Sequence, residues 1–161
     1  MTSKRGTGFL NKVEAQAVLC GAYIGNTLVT GLFNGQIVSW NGTSLAKAFE
    51  AHKGSVTAMC ARGNNAGIVT GGKDGNVIVW SEKLQKAKTI SIAQPETNCF
   101  IARVVSVHEH ADGKRLLVGS RGGEIIELAG DKQKIYMRSH CQGELWGLAP
   151  HPNKKEVYTV G

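Results

Sequence analysis

Three segments of this chain share one pattern, and their spacing restricts the fold more than any other feature of the sequence. The segments are residues 26–40, 66–80 and 114–128. Each contains an apolar run, a tight turn with glycine and a second apolar run, which is typical of a β-hairpin. The turn glycines Gly35, Gly75 and Gly123 lie 40 and then 48 residues apart. The sequence therefore predicts a series of hairpins repeated at nearly constant intervals.

A period of about 40 residues, with four short strands in each repeat, is typical of the blades of a WD-repeat propeller. We therefore predict an all-β fold: a partial WD-repeat β-propeller with about three and a half four-stranded antiparallel blades, or about fourteen strands paired in chain order. A leading loop or strand is expected at 1–14 and the partial propeller at 15–161. The blades are placed at about 15–50, 55–92 and 100–138, with a half blade at 144–161.

Only residues 45–51 have a helical composition. They follow Trp40, where the outermost strand of a blade is due. Because tertiary context decides the conformation of such short segments, we predict a strand there. The composition of 21 glycines and 3 prolines agrees with many short strands joined by turns.

Lys and Arg outnumber Asp and Glu by 19 to 12, so the net charge is +7 and the pI is about 9.4. Such a balance favours an acidic partner. The basic residues are scattered and never form the run that indicates a nucleic-acid patch. Aromatic residues make up only 6% of the chain, whereas nucleic-acid interfaces interleave aromatics with basic residues. The sequence thus favours an acidic protein surface over nucleic acid.

The four cysteines, Cys20, Cys60, Cys99 and Cys141, form no CxxC pair. With no signal peptide at the start, this pattern predicts a reducing, intracellular compartment. No apolar stretch approaches the roughly 18 residues of a membrane span. No membrane association and no cofactor are therefore expected.

The second predicted blade contains His52, Thr70, Asp74 and Trp80, and this set has two interpretations. A hydroxyl, an imidazole and a carboxylate could form a catalytic triad. In a WD repeat, the same positions form a buried hydrogen-bond chain: the imidazole bridges the carboxylate and the hydroxyl, and the hydroxyl meets the indole N–H. Buried polar groups must be paired, so the chain would fix the blade. We predict a structural tetrad and no catalytic residue.

The other blades keep only parts of this tetrad. At the positions of His52, Thr70, Asp74 and Trp80, the first blade has Lys12, Thr30, Asn34 and Trp40. The third blade is apolar there, with Val118, Gly122 and Leu128. The fourth recovers His140 and Thr159, which we predict to be a second partial tetrad.

Two other patterns imitate binding sites. His108 and His110 share one face of a predicted strand, but a zinc site needs further ligands, so we interpret them as rim histidines and expect no metal. The glycine-rich turn at 71–75 imitates a phosphate loop, yet it lacks the GKS or GKT ending and a following helix.

The chain resembles the propeller region of the echinoderm microtubule-associated protein-like (EMAP-like) family. The most specific element is Gly-Glu-Leu-Trp-Gly-Leu-Ala-Pro-His-Pro at 143–152, since the family's blades carry a closely similar run. Further matches, in the family's order, lie at 33–40, 51–56, 69–75 and 118–128. Together they cover roughly residues 25–161.

The resemblance implies a non-catalytic WD-repeat module of a microtubule-associated protein. Family members carry two fused propellers and associate with tubulin and microtubules. The implied partner is tubulin, microtubules or another acidic protein surface, with no small-molecule substrate. The implied location is the cytoplasm and its cytoskeleton, with cilium and spindle as candidate sites.

Two alternatives stay open. The first is a generic WD-repeat adaptor that binds a protein unrelated to tubulin. The second is a propeller enzyme, which would need a converging acid/base or metal set that the sequence does not contain.

Trp146 is the candidate partner contact. It lies on the predicted innermost strand of the fourth blade, next to the central channel, and packing between blades is the alternative role. A wild-type tubulin affinity in a folded Trp146→Ala variant would remove the binding role.

A WD propeller commonly closes with seven blades, so three and a half blades would leave apolar faces and strand edges open. We expect either the remainder of a longer parent chain or a second copy to cover them, and we favour the parent chain.

Overall fold

The computed structural model describes residues 17–92, 103–138 and 147–160. The predicted leading segment at 1–14 lies outside the described residues. The described strands are β1 Val18–Ile24, β2 Thr27–Leu32, β3 Gln36–Asn41, β4 Ser44–Glu50, β5 Val56–Ala61, β6 Gly67–Gly72, β7 Asn76–Ser81, β8 Lys86–Ser91, β9 Val104–Glu109, β10 Arg115–Ser120, β11 Glu124–Ala129, β12 Lys132–Arg138, β13 Gly147–Pro150 and β14 Val157–Val160.

The described strands form three four-stranded sheets and one two-stranded sheet, all antiparallel. Their orders are β1-β2-β3-β4, β5-β6-β7-β8, β9-β10-β11-β12 and β13-β14, so each sheet follows the chain. The predicted all-β partial propeller is confirmed. The segment with helical composition is strand β4, because its cross-strand pairing with β3 outweighs its propensity.

The middle strands of the second blade are apolar at consecutive positions because both faces of the sheet are buried. Ile68 and Ile78 pack with the first blade in one core cluster. Their neighbours Val69 and Val77 face the other way, into a second cluster shared with the third blade. Successive strand residues point to opposite faces, so a sheet between two others has a continuous apolar run.

Short polar links join neighbouring blades at the ends of the inner strands. A 3-10 turn at Gly63–Asn65 follows β5, and Asn65 there accepts a hydrogen bond from the N–H of Gly25 in the first blade at 3.2 Å. On its other side, the buried Glu109 at the end of β9 accepts from Nε of Arg62 at 2.7 Å and from the N–H of Gly63 at 2.9 Å. The second blade is thus fixed to both neighbours.

The buried pair predicts a measurable effect on stability. Glu109→Gln is expected to lower the free energy of unfolding by about 1–2 kcal/mol, since it weakens a charge-assisted hydrogen bond and leaves Arg62 without its counter-charge. Asp131→Asn is the control, because the Lys88–Asp131 pair is exposed and such pairs contribute little. Urea denaturation followed by circular dichroism compares them, and equal midpoints would contradict the role of Glu109.

No helix in the part of the chain that the structure describes is long and apolar enough to cross a membrane.

Candidate functional site

The second blade holds a continuous chain of polar side chains inside its apolar surroundings. Nδ1 of His52 lies 3.0 Å from Oδ1 of Asp74, and Nε2 lies 2.9 Å from Oγ1 of Thr70. Nε1 of Trp80 donates to the same hydroxyl oxygen at 2.9 Å. The structure therefore brings together all four residues that the sequence placed in one set.

Local structure sets the position of each group. His52 lies in the loop between β4 and β5, Thr70 on β6, Asp74 in the β6–β7 turn and Trp80 on β7. Gly72 leaves the space for the ring, since a Cβ there would lie 2.4 Å from Nδ1 of His52 and 2.6 Å from the Asp74 carboxylate. Asp74 also accepts from the N–H groups of Lys53 and Asn76, so its carboxylate is turned inward.

The hydrogen bonds define which atoms carry protons. Asp74 is acceptor-only when ionised, and the hydrogen bonds from Asn76 and Lys53, together with His52, hold its pKa below the usual 3.8 against the opposing effect of burial. Nδ1 of His52 must therefore donate to it. Burial lowers the pKa of His52 below 6.5, so Nε2 is unprotonated and accepts from the Thr70 hydroxyl. The contact between His52 and Asp74 is thus a hydrogen bond of a neutral ring.

The first blade has the same arrangement in reduced form. Nε1 of Trp40 donates to Oγ1 of Thr30 at 2.9 Å, the distance seen for Trp80 and Thr70. Oδ1 of Asn34 accepts from the N–H of Gln36 at 3.1 Å, as Asp74 does from Asn76. The amide replaces the carboxylate at the same point of the turn. Lys12, at the predicted histidine position, lies outside the described residues.

The third blade replaces the tetrad with a pair that sequence reasoning missed. Val118 and Leu128 are buried as expected, but Ser120 and Glu124 are buried too, and Oγ of Ser120 donates to the Glu124 carboxylate. A Cβ on Gly122 would lie 2.6 Å from that carboxylate. A carboxylate thus occupies the place of the Asp74 side chain, supplied from two residues later. The sequence signal for this pair was Glu124, which stands at the third-blade position that corresponds to Asn76 of the second blade.

The remaining predicted site residues are only partly placed. Thr159 lies on β14, opposite Leu148 of β13. Its predicted partner His140 and the candidate contact Trp146 lie outside the described residues. His108 is on β9 and His110 in the following turn, where its ring lies 3.1 Å from Nη2 of Arg115. Within 17–92, 103–138 and 147–160, no group of three or more potential ligands could hold a metal ion.

The two described cysteines are inner-strand residues. Burial raises the pKa of both Cys20 and Cys60 to about 11, so their thiols stay protonated at neutral pH. Sγ of Cys20 lies 3.5 Å from the carbonyl oxygen of Val56 in the next blade. Both act as small packing residues. Cys99 and Cys141 are not among the described residues.

Comparison with known proteins identifies one repeat by a family model. Residues 42–81 match the model of the WD domain, G-beta repeat. That segment runs from the turn before β4, the last strand of the first blade, to the end of β7. It therefore includes all four residues of the buried chain.

Curated relatives match along most of the chain. The ciliary WD repeat-containing protein ctxp80 of Euplotoides octocarinatus is 34% identical over 88% of the chain and 18% of its own length. Human echinoderm microtubule-associated protein-like 2 is 29% identical over 99% of the chain and 24% of its own length. The 77 kDa echinoderm microtubule-associated protein of Lytechinus variegatus is 28% identical over 87% of the chain and 21% of its own length. The chain spans about a fifth of the length of these relatives.

Among solved structures, a chain of a structure titled "Crystal Structure of Mitotic Checkpoint Complex" superimposes with a TM-score of 0.69 at 18% identity. The match covers 88% of this chain and 45% of the other. It supports the propeller fold alone.

Proposed function

This chain is an EMAP-like WD-repeat sequence, and on that premise we propose that it acts as a non-catalytic binding module of a microtubule-associated protein. The observation that carries the proposal is similarity over 87% to 99% of the chain to relatives named for microtubule association. The proposed partner is tubulin, in microtubules or as free subunits. The proposed location is the cytoskeleton, which the name of the ciliary relative also supports.

The charge of the chain supports an acidic partner. A net charge of +7 would attract the acidic outer surface of microtubules and speed encounter. Such attraction is screened by salt over about 10 Å at 0.1 M ionic strength. Binding should therefore weaken steadily as salt is added.

The buried tetrad supports a non-catalytic role. The side chain of His52 is 0% exposed and that of Asp74 only 11%, so a substrate has no access to the imidazole. The Thr70 hydroxyl is fully buried as well and is engaged by both His52 and Trp80. A general base needs a free lone pair within reach of a substrate proton. Nε2 of His52, the nitrogen that could act as a general base, is already hydrogen-bonded to Thr70.

Co-sedimentation with microtubules tests the proposal. The 161-residue chain is expected to pellet with microtubules at low salt and to be released as salt rises, because the contact is electrostatic. A folded basic protein of similar size and net charge is the control for non-specific attraction. Pelleting no better than this control would contradict tubulin binding and favour the adaptor alternative.

A further inference from the structure

The turn between β3 and β4 contains an Asn-Gly pair. Asn41 is the last residue of β3 and pairs with Ser44, the first residue of β4. Gly42 follows Asn41 with φ at 59°. Asparagine is among the chemically labile residues of proteins, and a glycine after it leaves the backbone nitrogen open because glycine has no side chain. This pair is therefore a candidate for a covalent change.

The surroundings of this pair leave the reacting atoms accessible. Asn41 and Gly42 are both exposed, and a Cβ on Gly42 would meet nothing within 4 Å. Within the described residues, the Asn41 side chain makes no hydrogen bond. The turn hydrogen bonds of the same residues do not use the N–H of Gly42. The backbone nitrogen of Gly42 is thus free to approach Cγ of Asn41.

A second Asn-Gly pair, Asn34 and Gly35, lies in the β2–β3 turn of the same blade and is held in place. Oδ1 of Asn34 accepts from the N–H of Gln36 at 3.1 Å, and Nδ2 donates to Oε1 of Gln36 at 3.0 Å. The Gly35 N–H donates to the carbonyl oxygen of Leu32 at 3.2 Å. Gly35 is buried, and a Cβ there would lie 2.2 Å from the carbonyl oxygen of His52. These hydrogen bonds and the close packing keep the Gly35 nitrogen away from the Asn34 side chain.

We propose that Asn41 is a site of deamidation and that Asn34 is protected from the same reaction. The Gly42 nitrogen loses its proton and attacks Cγ of Asn41, the side-chain amide nitrogen leaves as ammonia, and a cyclic succinimide forms. Water then opens the ring at either carbonyl, which yields aspartate or isoaspartate at position 41. The reaction consumes water and releases ammonia, and it needs no oxidant, reductant or cofactor.

Either product changes the outer part of the first blade. A carboxylate at position 41 lowers the net charge of +7 by one unit. Isoaspartate also adds a methylene group to the backbone, so the pairing of this residue with Ser44 is disturbed. Because β4 is the outermost strand of its sheet and pairs with β3, the change should loosen β4 and leave the inner strands in place.

The other complete blades carry no equivalent of this site. Their third strands, β7 and β11, end in Ser81 and Ala129, and neither residue has an amide side chain. Deamidation at this turn is therefore a property of the first blade. It does not depend on the binding partner of the chain, so it goes beyond the proposed function.

Peptide mapping by mass spectrometry tests the proposal on the complete, folded chain. The protein is incubated at neutral pH in heavy-oxygen water, which marks each ring that opens before digestion. Chymotrypsin cleaves after Phe33 and Trp40 and so places the two Asn-Gly pairs on separate peptides. Conversion at Asn41 is expected to be at least about tenfold faster than at Asn34, because the hydrogen bonds of the Asn34 turn must break first.

Two controls separate the effect of structure from that of sequence. In concentrated urea, Asn41 and Asn34 should convert at similar rates, since unfolding removes the protection of Asn34. In the folded chain, Gly42→Ala should slow conversion at position 41 several-fold and leave Asn34 unchanged, because a Cβ beside the nitrogen hinders ring closure. Circular dichroism verifies that the variant is folded.

Three results would overturn the proposal. The first is equal conversion of Asn41 and Asn34 in the folded chain. The second is conversion of Asn41 only after unfolding, which would mean that the folded turn blocks ring closure. The third is an unchanged rate in folded Gly42→Ala, which would show that the Gly42 nitrogen is not the attacking group.

Discussion

Gly67→Ala is expected to lower the free energy of unfolding by about 3 kcal/mol or more, the largest effect of any substitution considered for this chain. Gly67 begins β6 with φ at 129°, a backbone conformation that strains any other residue. A Cβ there would also lie 2.0 Å from the carbonyl oxygen of Trp80 and 2.7 Å from the carbonyl carbon of Ser81. Both contacts are backbone atoms of the paired strand β7, so neither can move without breaking the sheet.

Gly25→Ala separates the two causes. Gly25 also has a positive φ, 56°, but a Cβ there would meet nothing within 4 Å. It should therefore cost only the left-handed backbone strain, about 1 kcal/mol. Urea denaturation measures both variants. Equal losses would mean that the clash with β7 is absorbed and that backbone strain alone determines the effect.

His52→Ala is expected to destabilise the fold by about 1–3 kcal/mol at neutral pH, because Asp74 and Thr70 lose their shared partner in a buried site. No catalytic activity is expected to depend on His52. The measurement is the midpoint of urea unfolding at pH 7, with His110→Ala, on an exposed turn, as the control. A hydrolase activity that depends on His52 would overturn the structural role.

The same histidine predicts a pH dependence. In the folded state the pKa of His52 lies below 6.5 because of burial, and Lys86 adds to this lowering, while Asp74 opposes it. The unfolded state therefore takes up the proton first as the pH falls, so the stability that the neutral ring contributes is complete above pH 6.5 and is lost below it. Asp74, with its pKa below 3.8, adds a second loss at lower pH. Protonated His52 would direct Nε2–H at a hydroxyl that now donates to it.

Unfolding free energies between pH 7 and pH 5 check this dependence. The wild type should lose stability across this range, and His52→Ala should lose less. His108, whose pKa burial also lowers, accounts for part of what remains in the variant. An identical slope in both proteins would show that His52 is not the group that titrates.

The repeat was readable from the sequence because each blade is a local structure. Apolar runs on either side of Gly35, Gly75 and Gly123 predicted hairpins, and the strand pairs β2–β3, β6–β7 and β10–β11 lie on either side of these glycines. The consecutive apolar residues Ile68 and Val69 have a simple physical reason: a sheet between two others is buried on both faces.

The buried chain of the second blade was also recognisable, since its residues stand at fixed distances from the turn. The distances between these side chains and the protonation of His52 could not be predicted from the sequence. They depend on burial, which only the neighbouring strands produce. The pair of Ser120 and Glu124 shows the limit: a carboxylate reached the same space from another position, and spacing alone pointed to Gly122.

By itself, the sequence determined the period, the strand order and the family resemblance, because these depend on residues close together in the chain. Only the tertiary structure decided which lysines and arginines have a carboxylate partner. Lys53 and Lys73 look no different in sequence from Arg62 and Arg115. Yet folding brings Glu109 and Glu127 from other strands to the arginines, while neither lysine has a carboxylate partner among the ion pairs of the described residues. Whether a cation has a carboxylate partner depends on contacts between residues that are distant in the chain, and no local sequence pattern contains that information.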